Sequence, residues 1–191
     1  MRKVLVLFAH PKFEHSEANQ ELIRAISGLE NIQIQDLYEL YPDFDINVQK
    51  EQELLFEAEV VIWQHPFYWY SCPPLLKQWI DLVLEFGWAY GPGGVYLKNK
   101  FILNAITSGG SQETYSPQGR NVFTISELLR PFEQTAKLCG MNYLPYFQIG
   151  GTHRITSEEL KQKAQAYRHL ILYLRDSGII DPQEILALTK S

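Results

Sequence analysis

The sequence predicts an α/β protein: an open, five-stranded parallel sheet in the order 2-1-3-4-5, covered by helices on both faces to make three layers. Three observations point there. Apolar segments near 3–9, 32–38, 60–63, 101–107 and 142–149 alternate with helical patterns, the rhythm of βαβ units. Right-handed crossovers between parallel strands leave few topologies for such a chain. The first segment carries no polar face, as suits a central strand, whereas the second alternates apolar and polar residues, as suits an edge.

Residues 3–9, KVLVLFA, form the first strand, and the polar stretch His10–Asn19 turns into a helix. Leu22, Ile23, Ile26 and Leu29 give that helix its apolar stripe, and Ser16 is its candidate N-cap. Residues 32–38, IQIQDLY, are the alternating strand, and a loop at 41–45 leads to a short helix near 48–58. Val60 to Trp63 read as a buried strand, and Gln64-His65-Pro66 as a turn. Pro73 and Pro74 open a helix to about 86, with Leu75, Leu76, Trp79, Ile80, Val83 and Leu84 on one face. Residues 86–100 are a loop, because they hold four glycines and a proline. Residues 101–107 are the fourth strand, followed by a glycine turn and a polar loop to about Asn121. A helix is expected near 124–139, with Gly140 past its end. Pro145 assigns the strand at 142–149 to an edge. Ser157 starts a long helix to about Asp176, and Asp181-Pro182 caps a tail helix. The whole chain, 1–191, is expected to be one domain with its core at about 3–176.

A net charge of −5 without a basic tract disfavours nucleic-acid binding. The N-terminal apolar segment is too short to span a membrane and has no cleavage region, so a soluble cytoplasmic protein is expected. Cys72 and Cys139 form no metal-ligand or C-x-x-C pattern. Cys72 precedes a helix start, where a thiolate is favoured, but packing is the plainer role for both.

In the order 2-1-3-4-5 the loops after strands 1, 3 and 4 lie side by side at the carboxyl edge, where open α/β sheets bind ligands. The first ends at a helix N-terminus, whose amides and dipole suit a phosphate, with the Ser16 hydroxyl and a His10 ring N–H as further donors. The second carries Phe67, Tyr68, Trp69 and Tyr70, flat surface for a conjugated ring. The third carries Gly109 and Gly110, which let backbone amides approach a ligand. A phosphate end, an aromatic flank and a backbone-lined flank describe a site for flavin mononucleotide. No G-x-G-x-x-G follows the first strand, so a dinucleotide site of the Rossmann kind is unsupported.

The ordered set Ala9-His10-Pro11, Ser16–Asn19, Trp63–Pro66, Trp69-Tyr70, Pro73–Lys77, Gly87–Gly91 and Thr107–Gly110 resembles the flavodoxin-like NAD(P)H:quinone oxidoreductases. Within them, with Leu37-Tyr38 and Leu40–Phe44 added, the chain is most similar to bacterial ancillary proteins of glutathione-gated potassium efflux systems. The resemblance covers about residues 3–175. It implies a flavodoxin-like sandwich and a homodimer with FMN, rather than FAD, at the interface. It implies cofactor contacts at His10, at Ser16, Glu17, Ala18 and Asn19, at Phe67, Tyr68, Trp69 and Tyr70, and at Thr107, Ser108, Gly109 and Gly110. Tyr115 matches a tyrosine that larger animal members place near the flavin. The histidine of those members has its place taken by Asn121 or Arg120, which removes support for a histidine-assisted relay.

The activity expected is two-electron, ping-pong hydride transfer from NAD(P)H through the flavin to a quinone or related electrophile, with no protein nucleophile. Tyr115, Trp88 and Tyr90 are the candidate walls of the substrate slot, and dimer packing is the other role open to Trp88 and Tyr90. Two rival readings stand beside it. One is a regulatory module that binds flavin and docks on a potassium efflux transporter, which would bring the chain to the inner membrane. The other is a one-electron carrier, whose phosphate loop would be rich in Ser, Thr and Gly where this one reads HPKFEHSEAN.

Overall fold

A computed structural model describes residues 1–190. Its strands are β1 (Val4–Phe8), β2 (Ile32–Asp36), β3 (Val60–Pro66), β4 (Phe101–Thr107), β5 (Asn142–Tyr143) and β6 (Phe147–Ile149). Its helices are α1 (Glu17–Ile26), α2 (Leu37–Leu40), α3 (Val48–Glu57), α4 (Pro74–Val83), α5 (Ile125–Leu128), α6 (Arg130–Leu138), α7 (Ser157–Asp176) and α8 (Pro182–Lys190). All strand pairs are parallel, in the order β2-β1-β3-β4-β5, and β6 also pairs with β4. The expected topology is therefore present, with its fifth strand in two pieces.

The division of that strand follows from Pro145. Ile102 pairs with Tyr143 and Ala105 with Phe147, so three residues of the edge face two of β4. The Leu144 amide still donates to Ile102 O at 2.8 Å, but proline has no amide to donate, so pairing lapses at Pro145–Tyr146 and resumes one residue out of step. Pro131 has a similar effect on the expected helix at 124–139, which divides at Leu129 into α5 and α6, with proline in the first turn of the second. At β2 the strand stops short of Leu37, because Asp36 Oδ1 accepts from the amides of Tyr38 and Glu39 and starts a helical turn.

Gln64, His65 and Pro66 are not a turn. They continue β3, wholly buried, and pair with Ala105 to Thr107. Alternation along the strands sends side chains to two cores. Leu5, Leu7, Val61, Trp63, Ile102 and Ile106 pack on α3, α4 and α6, and Val4, Val6, Val60, Ile62 and Leu103 pack on α1 and α7. The tail helix α8 adds Ile185, fully buried, to the second core.

Candidate functional site

Parallel register brings the loops after β1, β3 and β4 to one level, since Phe8 pairs with Gln64 and Pro66 with Thr107. Each loop then contributes through its local structure.

In the first loop the Lys12 amide donates to His10 Nδ1 at 3.1 Å, which leaves the ring proton on Nε2. Burial lowers the His10 pKa, with Glu14 opposing more weakly, so the ring is a neutral N–H donor. Ser16 caps α1, its Oγ accepting from the Asn19 amide at 3.4 Å and from Asn19 Nδ2 at 3.0 Å. The Glu17 and Ala18 amides have no acceptor within the helix, and with the helix dipole they make an anion seat beside His10.

In the second loop Phe67 is buried, its amide donating to Thr107 O at 2.7 Å. Trp69 and Tyr70 have φ of 49° and 63°, left-handed values that bulky residues rarely adopt. This turn holds Trp69 out from the protein, 92% exposed, beside the half-exposed Tyr68 and Tyr70. The strained turn thus presents an exposed aromatic platform at the rim.

In the third loop Ser108 Oγ donates to Gly110 O at 2.8 Å and accepts from Gln148 Nε2 at 3.1 Å. A Cβ on Gly110 would lie 2.9 Å from Tyr115 Cε2, so glycine there lets the phenol ring close on the turn. Burial, then the neighbouring Tyr70, pushes the Tyr115 pKa up, so it remains an O–H donor.

Side chains tie the loops together. Tyr68 meets the His10 ring edge-on at 6.1 Å, Phe67 meets Tyr115 at 5.7 Å, and the Tyr70 hydroxyl donates to Asn121 Oδ1 at 3.4 Å. Asn121, of the two residues offered for the missing histidine, is therefore the one against the aromatic loop. Beneath the rim Asn19 Nδ2 donates to Thr107 Oγ1 at 3.0 Å, Gln64 Nε2 donates to Asn19 Oδ1 at 3.3 Å, and the Tyr167 hydroxyl donates to Gln64 Oε1 at 2.9 Å. Among the described residues, the amides of Trp69, Tyr70, Gly109 and Gly110 donate to no protein acceptor. Four unspent donors at one rim, beside an exposed aromatic platform and an anion seat, fit a flavin with its phosphate.

Several expectations change. Asn19, Phe67, Thr107 and Ser108 are buried, and their side chains are engaged within the protein. These side chains brace the rim from within. Trp88 and Tyr90 stand at the other end of the sheet. Trp88 stacks on Tyr96 at 5.5 Å, Tyr96 meets Phe56 at the end of α3 at 6.0 Å, and the segment leads into the start of β4. Because α4 runs back along the strands, the loop after it lies at their amino ends, so one chain does not bring Trp88 and Tyr90 to Tyr115. Burial also pushes the Cys72 thiol up to about 11, which removes the favoured thiolate.

The sequence reading left out the loop Gly150–Ile155. Its Gly151 amide donates to Gly110 O at 3.0 Å and its Thr152 amide to Ser108 O at 3.1 Å, so it buttresses the glycine turn. The pair Gly150-Gly151 after the last strand was the available signal, since every strand's carboxyl-end loop belongs to this rim.

A doubly wound parallel sheet with these loops at its carboxyl edge defines a flavodoxin-like protein. The chain belongs to the flavodoxin-like fold family, whose model matches residues 2–171. It is 42% identical over 169 residues to the glutathione-regulated potassium-efflux system ancillary protein KefF of Salmonella enteritidis, covering 88% of this chain and 95% of that one. General stress protein 14 of Treponema denticola, solved in complex with FMN, superposes with a TM-score of 0.87 at 36% identity, covering 91% of this chain and 99% of that one. An NADPH-quinone reductase from P. pentosaceus gives a TM-score of 0.82 at 31% identity, covering 92% and 99%. The family resemblance read from the sequence is thereby borne out. No described helix is long and apolar enough to cross a membrane.

Proposed function

We propose that the chain is an FMN-dependent NAD(P)H:quinone oxidoreductase. The observation that carries the reading is the rim itself, where unspent amides at Trp69, Tyr70, Gly109 and Gly110 lie beside the exposed Trp69 ring and the anion seat at Ser16. The FMN in the Treponema denticola neighbour and the reductase name of the P. pentosaceus neighbour support it. When bound, FMN supplies two-electron chemistry, taking hydride from NAD(P)H and passing two electrons, with protons from solvent, to a quinone.

The chain's own residues do the rest. His10 Nε2–H, the Ser16 hydroxyl and the amides of Glu17 and Ala18 hold the phosphate. Tyr68, Trp69 and Tyr70 fix the plane of the ring. The amides at 69–70 and 109–110 would be preorganised donors for a ring that gains electron density, and preorganisation is usually a large part of catalysis. Tyr115 would wall the slot, its neutral hydroxyl available as a hydrogen-bond donor. In this reading the active species is a homodimer, and Trp88 and Tyr90 reach a slot only from a second copy of the chain.

A yellow protein with one FMN per chain, bleached by NADPH and reoxidised by a benzoquinone with repeated turnover, is the expected result. A colourless preparation that refuses added FMN overturns it. The KefF relative favours a second reading, an ancillary subunit that docks on a potassium efflux transporter. Flavin binding without turnover would select that one.

A further inference from the structure

We infer that His153 is a cofactor-contacting residue of this site, an imidazole brought to the glycine turn from the loop after β6. The inference rests on the FMN reading above. The loop turns back on itself, with the amides of Arg154 and Ile155 donating to Gly151 O at 2.8 and 3.1 Å. Gly151 stands at the start of that turn with φ of +69°. Two further backbone bonds, from Gly151 and Thr152, bind it to Gly110 and Ser108. The result sets the His153 ring directly against Gly109. A Cβ on Gly109 would lie 2.8 Å from His153 Nε2 and 2.9 Å from its Cδ2, closer than side-chain carbons approach. Residue 109 therefore lacks a side chain, and the imidazole of residue 153 fills that volume.

The two glycines thus have separate partners. Gly110 is closed on by the Tyr115 phenol and Gly109 by the His153 imidazole. Both rings flank a pair of amides that donate to nothing in the protein. His153 is exposed, so one edge of its ring rests on the turn and the rest stays accessible. A residue that only propped the turn would gain from burial and would need no nitrogen. An N–H donor beside those amides favours the electron-rich form of whatever they hold over its oxidised form.

The test uses the full chain reconstituted with FMN, as wild type, His153→Ala and His153→Phe. Phenylalanine keeps a flat ring but has no donor. Binding of oxidised FMN is followed by fluorescence quenching, and the two-electron potential by equilibration with a reference dye. Both variants are expected to bind reduced FMN about tenfold less well relative to oxidised FMN, which lowers the potential by about 30 mV for a two-electron couple. The His153 ring resonances, assigned by their loss in His153→Phe, are expected to shift when oxidised FMN is added. If either variant keeps the wild-type potential, or the resonances do not move, the inference falls while the FMN reading stands. If the wild type binds no FMN, both fall.

Discussion

Asn19 Nδ2 donates to Thr107 Oγ1 at 3.0 Å, joining the first turn of α1 to the end of β4 across 88 residues of chain. Asn19 is fully buried and uses both amide hydrogens, one on Thr107 and one on Ser16, while its oxygen accepts from Gln64. The N-terminus of α1, which is the proposed phosphate seat, and the end of β4 that leads into the glycine turn are thus held in one hydrogen-bonded unit. Replacing Thr107 by valine keeps the shape and strands one buried N–H, a loss of about 1–3 kcal/mol in denaturant unfolding. FMN affinity is expected to fall as well, because the seat and the turn lose their common reference.

In the proposed reading Ser16 and His10 supply donors to the phosphate end of the cofactor. Ser16→Ala removes the cap of α1, worth about 1 kcal/mol of stability. It also removes a phosphate donor, as does His10→Ala. Each variant is expected to weaken FMN about tenfold and leave riboflavin, which has no phosphate, nearly unchanged, since a charge-assisted hydrogen bond is worth roughly 1.5–3 kcal/mol. Equal loss for both flavins in a fluorescence titration would move the phosphate elsewhere.

The elements legible in the sequence are those whose pattern is local. The apolar runs at β1 and β4, the stripe of α1, the proline start of α4 and the bounds of α7 follow from composition and spacing alone. What escaped depends on partners distant in sequence. Gln64 and His65 looked like a turn because they are polar, yet Tyr167, Asn19 and Asn104 satisfy them inside the sheet. The residues that line the rim were recognisable by type, but not which of them face outward. Thr107 and Ser108 spend their hydroxyls within the protein, and His153 arrives from a loop whose fold depends on backbone bonds to Ser108 and Gly110. The placement of Trp88 needed the direction of α4, which no motif states.

His65 sets a pH dependence of stability. It is fully buried, stacks on Phe132 at 5.5 Å, and hydrogen-bonds through Nδ1 to Pro66 O at 3.0 Å and through Nε2 to Asn104 Nδ2 at 3.1 Å. Donation from Nδ1 to the carbonyl and acceptance at Nε2 fix the neutral tautomer. Burial lowers its pKa to about 4, from an ordinary value of 6.5. Between those values the unfolded chain binds the proton and the folded chain does not, so this contribution is complete above pH 6.5 and is lost as pH falls toward 4. The loss amounts to about 3 kcal/mol. Unfolding curves of wild type and His65→Gln at pH 7 and 4.5 measure it, and the gap between the two proteins is expected to narrow at the acid end.

Glu51 is a second buried polar group of the core that also holds His65. It lies on α3 with no exposure, and its carboxylate accepts from the Tyr41 hydroxyl at 2.7 Å, from Trp79 Nε1 at 2.9 Å and from Gln35 Nε2 at 3.3 Å. These donors come from β2, from the segment after α2 and from α4, so one side chain fastens three elements to α3. Glu51→Ala leaves three donors in an apolar core and is expected to lower stability by about 3 kcal/mol or more, since each stranded group carries its own desolvation penalty. Trp79→Phe removes one donor together with part of its ring and is expected to lower stability less, by about 1–2 kcal/mol. In the double variant the two losses are expected to sum to more than the measured total, because each single change already breaks the bond they share. Strict additivity in the cycle would mean that the carboxylate and the indole act independently, and that the other two donors hold Glu51 in place.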